Sequence, residues 1–414
     1  MNLKLHKPLH AISGKISLPG SKSISNRILI IKALSGLDLS IKNISDSDDT
    51  KHLQEALDNY SSSSIIDVGH AGTDMRFLTA FLSLKTRHHE LTGSERLQQR
   101  PVKDLVEVLQ KLGADITYTG TAGYPPLLIK GKQLDGGKVE ISGKVSSQFI
   151  TALLLVAPYF TKGLELTVIG DLVSKPYVNM TVELMKEFGA SVLWNNDMII
   201  VHPVSYTYSK KEFIVESDWS AASYYYSMVA LSPALTKLTI GNLSQESLQA
   251  DAVCPDIYKA FGVLTEYSEN EILITKTYSD NKKVHEHDFI ECPDIAQSVV
   301  CTCVGLKHAF HFTGLQTLKV KETDRIVALQ NECRKIGIEL SITENSIQWS
   351  NKENAISTRS GSIKTYNDHR MAMSFATLSL LVDEIVIEEA NVVSKSYPLF
   401  WEHLKQIGIE QTTI

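Results

Sequence analysis

The sequence predicts an α/β protein built as a tandem of small subdomains, and three observations carry that prediction. One phrase recurs, as "LQKLGADITY" around Gly113, "LMKEFGASVLW" around Gly189, "IYKAFGVLTEY" around Gly262, "CRKIGIELSI" around Gly337 and "LKQIGIEQ" around Gly408. Each copy reads as the last turn of an amphipathic helix, a glycine at the position after the cap, and a strand. The glycines are nearly evenly spaced, at an interval too long for a solenoid. The first four copies are followed by a second short strand, "PPLLIKG", "MIIVHP", "EILITK" and "SIQWS", so each unit closes with a helix and then a hairpin. With 414 residues the chain has enough length for two or more domains, each with its own core.

Taken in chain order, "LKLHK" at the N-terminus is a strand that can pair with the last copy, which reaches Ile414 without a second strand of its own. That pairing would tie both ends into one domain. The stretch "LPGSKSISNRIL" then sets a Gly turn before an apolar row at Ile24, Ile28, Ile31 and Leu34, which has helical spacing, with Gly36 placed to end the helix. It is not a phosphate-binding P-loop, because Gly14 lies too far upstream of Gly20 and Ser21 separates Gly20 from Lys22. Ser21 or Ser23 is placed to cap the helix. "LQEALDNYSSSSIIDVG" is a degraded sixth copy of the repeat, lacking its glycine.

The remaining helices start on short polar motifs. Gly72 and Thr73 precede one, and Ser146, Ser147 and Gln148 another. Lys175-Pro176 sits in a first turn, where proline is favoured. Pro293-Asp294 opens "ECPDIAQSVVCTCVGL". Ile326, Leu329, Cys333 and Ile336 line one face after "KETDR", and Asn367, Asp368, His369 and Arg370 precede a long apolar helix. Ser, Thr, Asn and Asp there serve as caps, and Glu322 and Asp324 suit the helix dipole. The cations Lys22, Arg27, Lys321, Arg325 and Arg370 do not suit it, so their recurrence points to anions held at these positions.

Composition narrows the function. A net charge of −6 gives no general attraction to nucleic acid or to an anionic membrane, so any anionic substrate must be held by local charges. The longest apolar stretch, "FITALLLVAPYF", is too short to span a bilayer, and "MNLKLHKPLHAISG" lacks the apolar core of a signal peptide. The odd set Cys254, Cys292, Cys301, Cys303 and Cys333 fits a reducing cytoplasm, with Cys301 and Cys303 as buried structural thiols. His88-His89 and His285-Glu286-His287 read as exposed loop residues. No metal motif is present, so no metal is expected.

With "LPGSKSISNR", "AGTDMR", "RPVKDLVEVLQKLGA", "SSQF", "SKPY", "KETDR", "YNDHRMAM" and "SKSYPLFW" in this order, essentially the whole chain resembles the enolpyruvyl transferase family, and its shikimate-3-phosphate branch in particular. The resemblance implies two domains, each of three βαβαββ units with inward helices (an inside-out α/β barrel), with boundaries at 18–217 and at 1–17 plus 218–414. It implies transfer of an enolpyruvyl group from phosphoenolpyruvate to shikimate-3-phosphate by a cytoplasmic monomer that needs no cofactor. Lys22 would contact both substrates. Ser23, Arg27, Ser146, Ser147, Gln148, Ser174 and Tyr177 would bind shikimate-3-phosphate, with Asp294 and Lys321 on its reacting hydroxyl. Gly72, Arg100, Gln148, Arg325, Arg370 and Lys395 would bind phosphoenolpyruvate. The catalytic set would be Lys22, Asp294, Lys321, Glu322 and Lys395, with Asp294 as base and Glu322 as proton donor.

Three positions depart from the family pattern: His70 replaces a usual Asn, Phe77 a common Pro, and Thr317 a frequent substrate-binding Asn. They bear on affinity and leave the reaction class intact. The branch that uses a UDP-sugar acceptor typically has Lys-Asn where this chain has Lys22-Ser23, and a reactive Cys in its first domain. No Cys precedes Cys254 here. A non-catalytic scaffold would explain the repeat and the caps, but not Lys321-Glu322 among clustered cations.

Overall fold

The computed structural model describes residues 1–144, 146–278, 284–350 and 361–414. The chain forms two compact units, one comprising Met1–Gly20 with Glu216–Ile414 and the other Ser21–Val215. The division falls at 20/21 and 215/216 rather than at 17/18 and 217/218. Leu18 to Gly20 are bound to the far crossing segment: Ser217 Oγ donates to the Leu18 carbonyl, the Asp218 amide donates to Pro19, and Gly20 bridges Ser217.

One topology repeats through both units. In the unit Ser21–Val215, Ile65–Asp67 pairs in parallel with His88–Thr92 across the helix Gly72–Ser83, and the hairpin Asp115–Tyr118/Leu127–Lys130 adds antiparallel strands. Gly137–Ser142, the helix Ser147–Val156, Leu164–Ile169 and the hairpin Val192–Asn195/Met198–Val201 repeat it. A two-stranded sheet, Ser40–Lys42 with Glu212–Ile214, is the reduced version beside the helices Lys22–Ser35 and Asp48–Asn59. The other unit carries three four-stranded sheets of the same kind. In one of them, Leu3–His6 lies between Glu384–Ile387 and Gln411–Thr413, so the N-terminal strand does complete the last hairpin.

Burial explains which helices go inside. Trp219–Leu231, Ala296–Leu306 and His369–Ala376 are buried on nearly every residue, as are Gly72–Ser83 and Ser147–Val156. A helix apolar all round has no face to offer water and must be enclosed. The apolar helix after "NDHR" is shorter than its sequence suggests: it starts at His369 and tightens into the 3₁₀ turn Thr377–Leu380. Ile326, Leu329, Cys333 and Ile336 all face the core. All five cysteines are free and buried, and burial pushes the Cys301 and Cys303 thiols well above their usual range.

The histidine clusters lie in strands rather than loops, with His88 and Glu286 exposed and His89 and His285 buried. His88–Thr92 and His285–Asp288 are strands; His89 is buried and its Nε2 donates to the Tyr60 carbonyl at 2.8 Å, and His285 Nε2 meets His308 Nδ1 at 2.9 Å. Sheet pairing took up a polar sequence in which His89, His285 and His287 each gained a hydrogen-bond partner. Among the described residues, no group of His, Cys, Asp or Glu is arranged to hold a metal, and no helix is long and apolar enough to cross a membrane.

Candidate active site

In the unit Ser21–Val215, the helix Lys22–Ser35 begins on Ser21, whose hydroxyl makes no capping bond. Lys22 Nζ donates to Asp49 Oδ2 at 2.7 Å, and Asp49 is held in the first turn of Asp48–Asn59, which Ser47 caps. Arg27 is buried and donates to Thr181 Oγ1, the Ser23 carbonyl, the Tyr177 carbonyl and, at 3.4 Å, Thr151 Oγ1. Desolvation lowers its pKa to about 10.

The start of the helix Gly72–Ser83 ties the other expected residues together. Gly72 and Thr73 lie in its first turn rather than ahead of it. Thr73 Oγ1 accepts from Gln148 Nε2 at 2.9 Å, and Gln148 follows Ser147 in a helix that Ser146 caps. A Cβ on Gly72 would lie 2.4 Å from Arg100 Nη1, so glycine is what lets this guanidinium rest against the backbone. Arg76 is buried beneath, donating to the carbonyls of Gly72 and Pro101. Burial and the neighbouring charge of Arg100 push its pKa well down. Ser174 precedes Lys175–Glu187 in a left-handed conformation with φ 56°; its side chain makes no capping bond, and Tyr177 N donates back to its carbonyl. Among the described residues, no carboxylate lies within ion-pair distance of Arg27, Arg76 or Arg100.

The other unit holds a different arrangement, centred on Arg325 at 2% exposure. Its Nε donates to Asp368 Oδ2 at 2.7 Å, Nη1 to Asp294 Oδ1 at 3.2 Å and Nη2 to Glu322 Oε2 at 2.8 Å. Arg370 Nη2 reaches Asp294 Oδ2 at 3.1 Å, Lys321 Nζ reaches Asp294 Oδ1 at 3.4 Å, and Lys395 Nζ lies 3.7 Å from Glu322 Oε1. The anions that attend these cations are therefore the protein's own carboxylates, which corrects the view that every cation at a helix start waits for a ligand. Burial alone would raise the Asp294 pKa; Arg370, Lys321 and Arg325 more than reverse this and hold the carboxyl well below the usual range. Asp368 is fully buried, caps the helix His369–Ala376 and accepts from Arg325 through both oxygens.

The expected residues thus form two groups. Lys22, Ser23, Arg27, Gly72, Arg100, Ser146, Ser147, Gln148, Ser174 and Tyr177 belong to one unit, and Asp294, Lys321, Glu322, Arg325, Arg370 and Lys395 to the other. Sequence reasoning missed Asp49, Arg76 and the pairing role of Asp368. Asp49 sits in the acidic run "SDSDD", which gives no sign of which carboxylate turns inward. The departures from the family pattern are accommodated locally. His70 Nδ1 meets Ser94 Oγ at 2.7 Å, Phe77 is buried with its ring centroid 5.7 Å from Arg27 Cζ, and Thr317 Oγ1 is buried with no partner among the described residues.

The family model for EPSP synthase (3-phosphoshikimate 1-carboxyvinyltransferase) matches residues 6–64 and 59–404. A Bacteroides fragilis protein named 3-phosphoshikimate 1-carboxyvinyltransferase is 46% identical over 398 residues, covering 96% of this chain and 96% of its own length. An Aliivibrio fischeri protein of the same name is 34% identical over 427 residues, covering 97% and 98%. The solved EPSP synthase of Acinetobacter baumannii superposes with a TM-score of 0.80 at 22% identity over 100% of both chains, a likeness of fold.

Proposed function

The chain belongs to the EPSP synthase (3-phosphoshikimate 1-carboxyvinyltransferase) family, and on that footing we propose what each cluster of side chains does. The reaction moves the enolpyruvyl group of phosphoenolpyruvate onto the 5-hydroxyl of shikimate-3-phosphate and releases phosphate, by addition and then elimination through a tetrahedral intermediate, within aromatic amino-acid biosynthesis.

The observation that carries the assignment is the set Arg27, Arg76 and Arg100, cations in one unit with no carboxylate partner among the described residues. Two anionic substrates repel each other, by about 4 kcal/mol for unit charges 4 Å apart at an intermediate dielectric, so the protein must supply positive charge that is not already neutralised. Lys22, Ser23, Arg27, Ser146, Ser147, Gln148, Ser174 and Tyr177 hold shikimate-3-phosphate. Arg100, against the bare backbone of Gly72 and with Gln148 and Lys22, receives the phosphate of phosphoenolpyruvate.

In the second cluster, Arg325, Arg370 and Lys395 clamp phosphoenolpyruvate, and Asp294 with Lys321 holds the reacting hydroxyl. Asp294 is the base. As the resting structure stands it is a weak one, because three cations stabilise its ionised form. An anionic ligand that draws off part of that positive charge raises its basicity at the moment a proton must be taken. Glu322, which shares the Arg325 fork with Asp294, delivers the proton to C3 of phosphoenolpyruvate. Held positioning of this kind supplies roughly 7–11 kcal/mol in the best intramolecular models.

An inside-out barrel in each unit is supported by the helices that are buried on nearly every residue. The chain acts as a cytoplasmic monomer on small molecules alone, without nucleic acid or membrane, a reading supported by its charge of −6 and its free, buried cysteines. The test is phosphate release from phosphoenolpyruvate with shikimate-3-phosphate as acceptor, run beside UDP-N-acetylglucosamine. Release only with the former is expected; release only with the UDP-sugar, or with neither, overturns the reading.

A further inference from the structure

Asp251, which none of the preceding roles uses, lies one side chain behind Arg370. It sits in the 3₁₀ turn Ala250–Val253 at 3% exposure. Its Oδ2 accepts a hydrogen bond from the Ser220 hydroxyl, and Ser220 Oγ in turn accepts from Arg370 Nη2 at 3.4 Å. Asp251 Oδ1 is buried without a hydrogen-bond partner among the described residues. Arg370 also donates through Nη1 to the Asp294 carbonyl at 2.9 Å and pairs through Nη2 with the Asp294 carboxylate. The charged groups facing Asp251 are Asp294, Arg370 and the helix-capping Asp218, and the thiols of Cys254 and Cys292 lie beside it.

We propose that Asp251 is a positioning residue that acts through Ser220 to set how Arg370 divides between the protein's own carboxylates and an anionic ligand. An ionised carboxyl here places a second negative charge behind Arg370 and holds the guanidinium back. A protonated one leaves Arg370 to the ligand. The buried, unpartnered Oδ1 favours the neutral form, because a carboxylate oxygen without donors is costly to desolvate. Burial and the charge of Asp294 raise the carboxyl to about 7, against the opposing pull of Arg370 and Ser220, so both charge states are populated near neutrality. A ligand that takes up Arg370's charge favours protonated Asp251. By linkage, that ligand then binds less well as pH rises through about 7. A shift of one pKa unit on binding corresponds to about a tenfold change in affinity.

The inference rests on Arg370 as a phosphoenolpyruvate ligand. Its test is KM for each substrate, and kcat, from pH 6 to 8.5 in the wild-type enzyme, Asp251→Asn and Ser220→Ala, with melting temperatures to confirm folding. The phosphoenolpyruvate KM of the wild type should rise with pH by roughly tenfold more than that of Asp251→Asn. The shikimate-3-phosphate KM should follow the same course in both, and Ser220→Ala should lose part of the difference. The titration of phosphoenolpyruvate itself cancels in the comparison. An Asp251→Asn enzyme with the full wild-type pH step overturns the inference; if that variant does not fold, an unaltered step in Ser220→Ala does so. A normal phosphoenolpyruvate KM in Arg370→Gln would instead strike the ligand assignment beneath it.

Discussion

Replacing Gly72 with alanine tests the anion site at a single atom. The added Cβ would lie 2.4 Å from Arg100 Nη1, 2.7 Å from Cζ and 2.8 Å from Nη2, closer than carbon contacts permit. The atom met is the end of a flexible side chain, so Arg100 swings aside and the helix Gly72–Ser83 persists. The stability change should stay below about 1 kcal/mol, since no backbone is displaced. What is lost is a charge-assisted contact to the ligand phosphate, worth about 1.5–3 kcal/mol. That corresponds to a rise of roughly 10- to 150-fold in the phosphoenolpyruvate KM. Steady-state phosphate release with each substrate varied in turn, beside a urea unfolding curve, measures both quantities. A phosphoenolpyruvate KM within twofold of wild type, or an equal rise for both substrates, would refute the assignment of Arg100 and Gly72 to that phosphate.

Other outcomes follow from the second cluster and from Lys22. Asp294→Asn should lower kcat by about 10²- to 10⁴-fold with the fold retained, and a rate near wild type would remove it as base. Glu322→Gln and Lys22→Ala should each abolish turnover while circular dichroism stays unchanged; activity in either removes that residue from the mechanism. Asp368→Ala leaves part of the buried Arg325 charge uncompensated and should cost about 3–5 kcal/mol in urea unfolding, with a loss under 1 kcal/mol counting against the pairing. Asp251 has a folded pKa raised above its unfolded value, so its stabilising contribution is present below about pH 4 and is lost as pH rises through about 7. Asp251→Asn should accordingly gain stability over the wild type at pH 8 and lose that advantage at pH 4; a constant difference across this range would show the group does not titrate with folding.

Local signals in the sequence carried most of the architecture. Each helix-ending glycine that anchored the repeat adopts a positive φ, as at Gly113, Gly189, Gly262, Gly337 and Gly408, because the turn from helix to strand needs it. The hydrophobic faces are equally local. The histidine strands were missed because their polar side chains imitate a loop, and only the neighbours His308 and Tyr60 make them at home in a sheet. The site was legible as a set of cations but not as a charge arrangement. Arg325 finds Asp368 43 positions away and Asp294 31 positions away, and nothing near Arg325 in the sequence announces either. Arg76 and Arg100 look alike in sequence to any surface arginine, and only the backbone carbonyls around one and the bare glycine beneath the other set them apart.

The pairing of Leu3–His6 with both Glu384–Ile387 and Gln411–Thr413 carries a consequence for biosynthesis. Residues 21–215 are contiguous and can condense on the ribosome as soon as they emerge. The strand Leu3–His6 must wait with both edges bare until Glu384–Ile387 and Gln411–Thr413 have been made. A chaperone that shields that strand in nascent chains, or a slow final folding phase abolished by circular permutation at the junction of the two termini, is what such an order of assembly demands.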